Sequence, residues 1–292
     1  MLGRGVRQMI ARLDPDEHDA EITHLSSEVL TPPMMAHIGY ANSAARTVAV
    51  PHVARTVYRE GTGDQIVRPW ERDADTLTFF GELIRRGHRS AEGKAACERI
   101  QQVHRAVGGV RNEDKIYTLS LMASSPRELA QAMGCPVHSD IENQAQYNFW
   151  LGIGRAMRVR DVPETYDELR AWTDEYEAKY FEPTPEAHKV AEAHIRGIEH
   201  WFPGPSKWLA RAIFIASMDA RTAECLGYEP TKKPFAALMS AGWLSFATVG
   251  PLLPVRLDSS WVKSFSRVGP EPDLGSIGYG TYTTAHESLP GK

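Results

Sequence analysis

Three polar side chains that could do chemistry lie in two neighbouring segments with the apolar spacing of helices. Arg72 and Thr76 are four residues apart in ERDADTLTFF, so they share one face of a predicted helix. His104, in ERIQQVHRAV, continues an apolar stripe with Cys97 and Ile100 on the next helix. Burying such groups without partners costs several kcal/mol. A heme with His104 on its iron, and with Arg72 and Thr76 on the opposite side, would supply those partners together.

Each of these residues also has a purely structural interpretation. A single histidine in an apolar stripe is most often a core residue whose nitrogens are satisfied by hydrogen bonds. Arg72 could instead lie on a solvated helix face and pair with Glu71, Asp73 or Asp75. The residues alone leave both interpretations open.

Motifs for other chemistries are missing from the sequence. There is no HExxH, no paired CxxC and no glycine-rich phosphate loop in a strand–helix setting. His188 and His194 are six residues apart, a spacing that does not place them on one helix face. Zinc hydrolysis and nucleotide binding are therefore not predicted.

Composition limits the class of protein. The chain has 292 residues, 42% hydrophobic and 24% charged, as in an ordinary globular protein. Its net charge of −4 argues against a nucleic-acid partner, which requires a concentrated basic face. Three scattered cysteines and the lack of an apolar N-terminal leader predict a cytoplasmic protein without a signal peptide.

Helical periodicity dominates, and alternating strand patterns are absent, so the sequence predicts an all-α fold. Capping signals stand at Ser90, Ser139 and Thr165, and Thr184 precedes a proline. The other predicted helices begin near Trp70, Ile116, Trp208 and Phe235, and the helix carrying His104 stops at Gly108-Gly109. We predict one globin-like helical domain over residues 13–257 and an irregular C-terminal extension over 258–292.

The segment 234–255 contains no charged residue (PFAALMSAGWLSFATVGPLLPV) and approaches the length of a membrane span. Its many Ala, Ser, Gly and Thr residues make it only mildly hydrophobic. We therefore expect a buried core helix, with peripheral membrane contact as the alternative.

Several stretches together resemble the MpaB-type oxygenase family, which includes the rubber-cleaving latex clearing proteins. Roughly residues 13–250 carry the resemblance. The matching stretches, in chain order, are LDPDEHDAEITHLSSEV, VAVPHVARTVYREGTGD, ERDADTLTFF, ERIQQVHRAV, DKIYTLSLMASSPREL and NFWLGIGRAMRVRDVPETYDELRAWTDEYEAKY. Six stretches in the same order are more specific than any one of them.

The resemblance implies heme b, dioxygen as co-substrate, and cleavage of a carbon–carbon double bond in an apolar isoprenoid. It makes His104 the iron ligand and Arg72 and Thr76 the distal pair, and an acid expected on the distal side falls nearest to Glu60. Arg99 is a candidate partner for a heme propionate, although an exposed ion pair with a neighbouring glutamate explains it equally well.

One position departs from the family pattern. Latex clearing proteins have lysine immediately before the distal threonine, and this chain has Asp75. Rubber itself is therefore a doubtful substrate. A heme or apolar-ligand carrier or sensor without turnover is the alternative function.

Overall fold

Fifteen α-helices form the part of the chain that the computed structural model describes, namely residues 1–106, 110–132, 134–135, 137–229, 231 and 233–275. No strand occurs within these ranges, so the all-α prediction is confirmed. The helices are α1 (Gly3–Ile10), α2 (Asp19–His24), α3 (Pro33–Val48), α4 (Pro51–Tyr58), α5 (Asp64–Val67), α6 (Pro69–Arg86), α7 (Ala91–Ala106), α8 (Asn112–Ala132), α9 (Asp140–Ala156), α10 (Tyr166–Tyr180), α11 (Pro185–Ile198), α12 (Trp208–Ala216), α13 (Ala220–Cys225), α14 (Lys233–Val249) and α15 (Trp261–Phe265).

Local signals in the sequence fix where most of these helices begin. Ser139 and Thr165 each form a reciprocal capping box with the glutamate three residues later, as predicted. The Thr184 side chain accepts a hydrogen bond from the backbone of Ala187. Ser90 accepts from the amide of Gly93 at 2.8 Å, which starts α7.

Two helix ends need comment. The segment 208–225, expected as one helix, is divided into α12 and α13 because the Asp219 side chain caps a new helix by accepting from the Thr222 amide. The predicted stop of α7 at Gly108-Gly109 lies outside the described residues.

Two apolar clusters hold the helices together. Helices α3, α4 and α11 enclose one cluster, which includes Ala45 and Val190. Helices α7 to α10 and the C-terminal part of α6 enclose the other, which includes Leu83, Cys97 and Phe149. Helix α6 packs against α11 on one side and α7 on the other, so it lies between the two clusters.

The contact between α6 and α11 depends on a glycine. A Cβ atom built on Gly197 would lie 2.6 Å from a carboxylate oxygen of Asp73. Any larger residue would push α11 away from α6. The glycine therefore brings the polar side chains of α11 within reach of those on α6.

Both ends of the chain pack on the same core, so the predicted limits at 13 and 257 do not mark a break in packing. Val6 and Ile10 of α1 are buried against Leu25. After residue 257 the chain forms α15, where Phe265 packs on Leu77 of α6. Apart from α15, the C-terminal extension is irregular up to residue 275, as predicted, and residues 276–292 lie outside the described part.

The expectation that segment 234–255 forms a buried core helix is wrong. It does form a helix, α14, but Leu238 is 64% exposed and Leu244 is 52% exposed. The stretch Pro234–Leu252 is long and apolar enough to cross a membrane, and none of it is buried within the protein. An uncharged composition makes a segment suitable for a core, but whether other helices cover it is decided by tertiary packing.

Candidate functional site

A cavity of about 380 Å³ lies between α6, α7 and α8, with α3, α9 and α11 closing its sides. It brings together Arg72, Thr76 and His104, the three residues with which the sequence analysis began. Most of the remaining wall is apolar, including Phe79, Phe80, Leu83, Ile100, Val103, Val110, Leu119, Ile153 and Met157. The cavity can therefore hold an apolar group within reach of a few polar side chains.

Arg72 and Thr76 are directly coupled. One guanidinium nitrogen of Arg72 donates to the hydroxyl oxygen of Thr76, and this hydroxyl donates to the backbone carbonyl of Arg72 at 3.1 Å. Burial lowers the pKa of Arg72, but Tyr40 and acidic neighbours including Asp73 raise it to a net value above the ordinary one. The guanidinium is thus permanently charged in a partly dry cavity.

Tyr40 adds an uncharged hydroxyl to the same region. Burial raises its pKa to about 12. Its ring meets Phe80 edge-on, with the ring centroids 6.1 Å apart. Tyr40 therefore remains protonated and can donate a hydrogen bond at neutral pH.

Asp75 occupies the wall of the cavity, where the resemblance led us to expect a lysine. Its carboxylate lies 3.5 Å from the guanidinium of Arg267, which comes from the segment after α15. A cation is therefore present beside this position, although it comes from a distant part of the chain.

His104 is a partly buried, neutral imidazole. Burial, followed by the nearby positive charges of Lys115 and Arg72, lowers its pKa to about 4. Its Nδ1 atom is buried and has no hydrogen-bond partner among the described residues. A buried ring nitrogen without a partner is costly, and a neutral imidazole is the form that binds a metal.

A buried polar cluster centred on Asp73 of α6 lies next to the cavity. Asp73 accepts from Nε2 of His37 at 2.9 Å and from Gln65 at 3.0 Å, and it lies 3.1 Å from Nδ1 of His194. Trp201 donates to Nδ1 of His37 at 2.9 Å, so the proton of His37 is on Nε2 and faces Asp73. Burial raises the pKa of Asp73, but the two histidines lower it to a net value well below its usual range.

Two predicted site residues lie outside the cavity. Glu60 is exposed in a left-handed turn with φ of 54°, and it does not contribute to the cavity wall. Arg99 donates to the backbone carbonyls of Leu274 at 3.3 Å and Gly275 at 3.1 Å, so it holds the C-terminal segment. It does not line the cavity, and within the described residues these backbone contacts hold its guanidinium where an ion pair with a neighbouring glutamate was the alternative.

His194, Tyr40 and Lys115 also line the cavity, although the sequence motifs do not single them out. The six-residue spacing between His188 and His194 argues only against a shared site for these two histidines. The available signal was of another kind: His194 falls in the apolar stripe of α11, as His104 does on α7.

The residues of the cavity fit a heme. His104 offers a neutral imidazole, the walls are apolar, and Lys115 and Arg59 supply cations at the cavity wall for acidic groups. No cluster of three or more metal-binding side chains occurs in the described part of the chain. A heme iron needs only an axial ligand from the protein, so a single histidine is sufficient.

Comparison with known proteins gives a family. Residues 28–247 match the family model described as "ER-bound oxygenase mpaB/B'/Rubber oxygenase, catalytic domain". The chain is 23% identical to the ER-bound oxygenase mpaB' of Penicillium brevicompactum over 211 residues, which cover 67% of this chain and 50% of that protein. It is 24% identical to the ER-bound oxygenase mpaB of Penicillium roqueforti (strain FM164) over 201 residues, which cover 64% of this chain and 67% of that protein.

The same fold occurs in a solved structure, the latex clearing protein LCP in the closed state. The TM-score is 0.63 at 16% identity, over 83% of this chain and 69% of that one. At this identity the likeness shows the fold alone. The chain spans about half the length of the first curated relative. The match to the family model nevertheless extends over most of the sequence, and the chain therefore belongs to the mpaB and rubber oxygenase catalytic-domain family.

Proposed function

We propose that this protein is a heme b-dependent oxygenase that cleaves a carbon–carbon double bond in an apolar, isoprenoid-type substrate. The observation that carries the proposal is the placement of His104 and the Arg72–Thr76 pair in the walls of one apolar cavity. The relatives of this chain are named oxygenases, which supports the assignment of the protein as an oxidoreductase.

His104 would hold the heme through its neutral imidazole. When bound, the heme supplies a redox-active iron that reacts with dioxygen. Arg72 would provide a positively charged hydrogen-bond donor for negative charge that develops on oxygen, and its contact with the Thr76 hydroxyl holds the guanidinium in position. The apolar wall excludes water and holds the alkene.

The proposed cleavage balances without an external reductant. Both bonds of the carbon–carbon double bond break, dioxygen divides between the two carbons, and two carbonyl groups result. The alkene supplies all the electrons that reduce dioxygen, so no reductase partner is needed. Glu60 is not part of this proposal, because its exposed position gives it no access to the cavity.

A carrier or sensor that binds heme or an apolar ligand without turnover is the second candidate. Asp75 favours it, because this carboxylate adds negative charge to the cavity wall at the position where the rubber-cleaving relatives are expected to have lysine.

We also propose that the protein contacts a cytoplasmic membrane surface through α14 and the adjoining chain ends. The exposed apolar residues Leu238, Leu244, Val249, Leu252 and Leu253 form this apolar surface, and Met1 and Leu2 lie beside it. Exposed apolar patches of this kind mark contact with partners or lipid. The names of the curated relatives include the words "ER-bound", which supports lipid as the partner.

An absorbance spectrum tests the heme proposal. We expect a Soret band in the purified protein, or after titration with hemin, and its loss in His104→Ala. His188→Gln is the matched control, because His188 lies outside the cavity and is 43% exposed. A protein that stays colourless with hemin would contradict the heme-dependent oxygenase and the heme carrier alike.

A further inference from the structure

A second cavity, of about 440 Å³, adjoins the first. Tyr40, Ser43, Phe80, Met122 and Trp150 line both cavities, so these side chains form the partition between them. Phe80 meets Trp150 edge-on, with ring centroids 5.2 Å apart. The side chains of these residues therefore separate the second cavity from the first.

One part of the second cavity is apolar. Leu77, Leu121 and Phe80 contribute to this part, together with Trp243 and Phe246 from α14. Helix α14 therefore presents aromatic side chains to the cavity while Leu238 and Leu244 are exposed. An apolar chain would replace water here at a favourable free energy.

The other part is a polar network around the buried Arg46, and its outer members, such as Arg170, are partly exposed. Its guanidinium donates to Glu128 at 2.8 Å and to Glu177 at 2.5 Å, and Arg170 donates to Glu128 at 2.5 Å. The third guanidinium nitrogen, Nε of Arg46, is buried without a hydrogen-bond partner among the described residues, and the carboxylate of Asp219 is 3.8 Å away. This donor lacks an acceptor within the described part of the chain, and an oxygen atom of a ligand that reaches it would supply one.

The charges of this network determine which oxygen it accepts. The cavity wall contains three arginines (Arg46, Arg170, Arg221) and four carboxylates (Glu128, Asp174, Glu177, Asp219). Burial raises the pKa of Glu128, but Arg46 and its other partners lower it to a net value below the ordinary one, so it is ionised. Because Arg46 and Arg170 already pair with carboxylates and the acidic groups of the wall outnumber the arginines by four to three, a further carboxylate or phosphate would meet net negative charge.

We propose that the second cavity binds the far end of the substrate, and that this end carries an uncharged oxygen: an alcohol, phenol or carbonyl on an isoprenoid chain. This assignment rests on the proposed oxygenase function, in which the alkene of the same substrate is cleaved. Arg46 donates to the oxygen, the chain lies along Leu121 and Phe246, and the alkene crosses the partition at Trp150 toward the first cavity.

Gly39 allows the cavity to be filled without disturbing the fold. It lies inside α3 and lines the second cavity, and an added Cβ would meet no atom within 4 Å. Replacing a glycine inside a helix also favours the helix. Gly39→Leu is therefore expected to fold and to occupy the binding space. Gly204→Leu is the control, since Gly204 has equally open surroundings and lines neither cavity.

The experiment measures binding of geranylgeraniol, geranylgeranoic acid and the hydrocarbon phytane by equilibrium dialysis, each delivered from cyclodextrin. We expect the alcohol to bind at least about ten-fold more tightly than the acid, because like charges in a buried site repel. Gly39→Leu should weaken binding of the alcohol by about ten-fold or more through overpacking. Gly204→Leu should bind the alcohol as tightly as the unaltered protein does. Arg46→Lys keeps the positive charge but removes the Nε donor. It should weaken binding of the alcohol by up to about ten-fold and leave binding of phytane unchanged.

Equal binding of the acid and the alcohol would overturn the assignment of the polar end. Unchanged alcohol binding in Gly39→Leu would overturn the assignment of the cavity. These readouts do not require heme, so they remain informative if the heme titration fails. A normal Soret band in Gly39→Leu with weakened alcohol binding would support the second cavity as a site separate from the heme cavity.

Discussion

The carboxylate of Asp75 lies 3.5 Å from the guanidinium of Arg267, so a residue of α6 in the cavity wall is joined to the segment that follows α15. Asp75 stands where the rubber-cleaving relatives are expected to have lysine. The pair places a positive charge close to that position, although it originates from the C-terminal end of the chain. The wall of the cavity and the C-terminal segment are therefore linked electrostatically.

Exchanging the two charges tests this link. Asp75→Lys would place two cations side by side, and we expect it to lower the free energy of unfolding by about 1–2 kcal/mol. Combining it with Arg267→Glu restores an ion pair and should recover much of that loss. Urea unfolding of the two single variants and the double variant measures the coupling. Additive effects of the two substitutions would show that the side chains do not interact.

Substitutions of Arg72 and Thr76 should slow product formation but should leave heme binding largely intact. Arg72→Ala is expected to lower oxygen-dependent product formation by about a hundred-fold, since it removes a donor aimed at developing charge. Thr76→Val keeps the side-chain volume and removes the hydroxyl. It should lower product formation by about ten-fold. The Soret band should persist in both variants. Arg196→Ala, an exposed arginine on α11, is the control and should leave the product rate unchanged; a normal rate in Arg72→Ala would contradict the proposed role.

Asp73 should make folding sensitive to acid. Its pKa is lowered in the folded protein, so the folded state releases this proton more readily than the unfolded chain, whose value is near 3.8. The stabilisation is therefore complete above about pH 4 and is lost as the pH falls toward the folded-state pKa. Asp73→Asn should lower stability by about 1–3 kcal/mol at pH 7 and reduce the loss on acidification.

Thermal unfolding between pH 7 and pH 3 measures this dependence. Asp167→Asn is the control, because Asp167 is exposed on α10, lies outside this cluster and should change the profile little. An unchanged acid profile in Asp73→Asn would mean that the cluster with His37 and His194 does not stabilise the fold through its charge.

Leu238 and Leu244 should mediate binding to lipid. The double variant Leu238→Glu/Leu244→Glu places two negative charges on the apolar surface, which opposes burial in a membrane interface. Co-sedimentation with phosphatidylcholine vesicles containing phosphatidylserine should fall by about ten-fold or more. Val67→Glu, at another apolar residue that is 60% exposed, should bind vesicles as the unaltered protein does. Equal sedimentation of the double variant and the unaltered protein would argue against lipid contact through α14.

Local signals were sufficient to predict the helices and part of the site. The capping boxes at Ser139 and Thr165 depend on residues three positions apart, and such contacts form within one turn. Apolar periodicity placed His104 on the inner face of α7 and Arg72 beside Thr76 on α6. These features depend on neighbours in sequence, so the sequence by itself determined them.

Only the tertiary structure decided which distant groups meet. Asp75 meets Arg267, and His194 reaches Asp73 because Gly197 lets two helices approach closely. The apolar segment of α14 is exposed although its composition suits a core, because the described helices that contact it leave most of its surface uncovered. Side-chain pairs far apart in sequence and the covering of a helix face depend on how whole helices pack, and no local pattern records that packing.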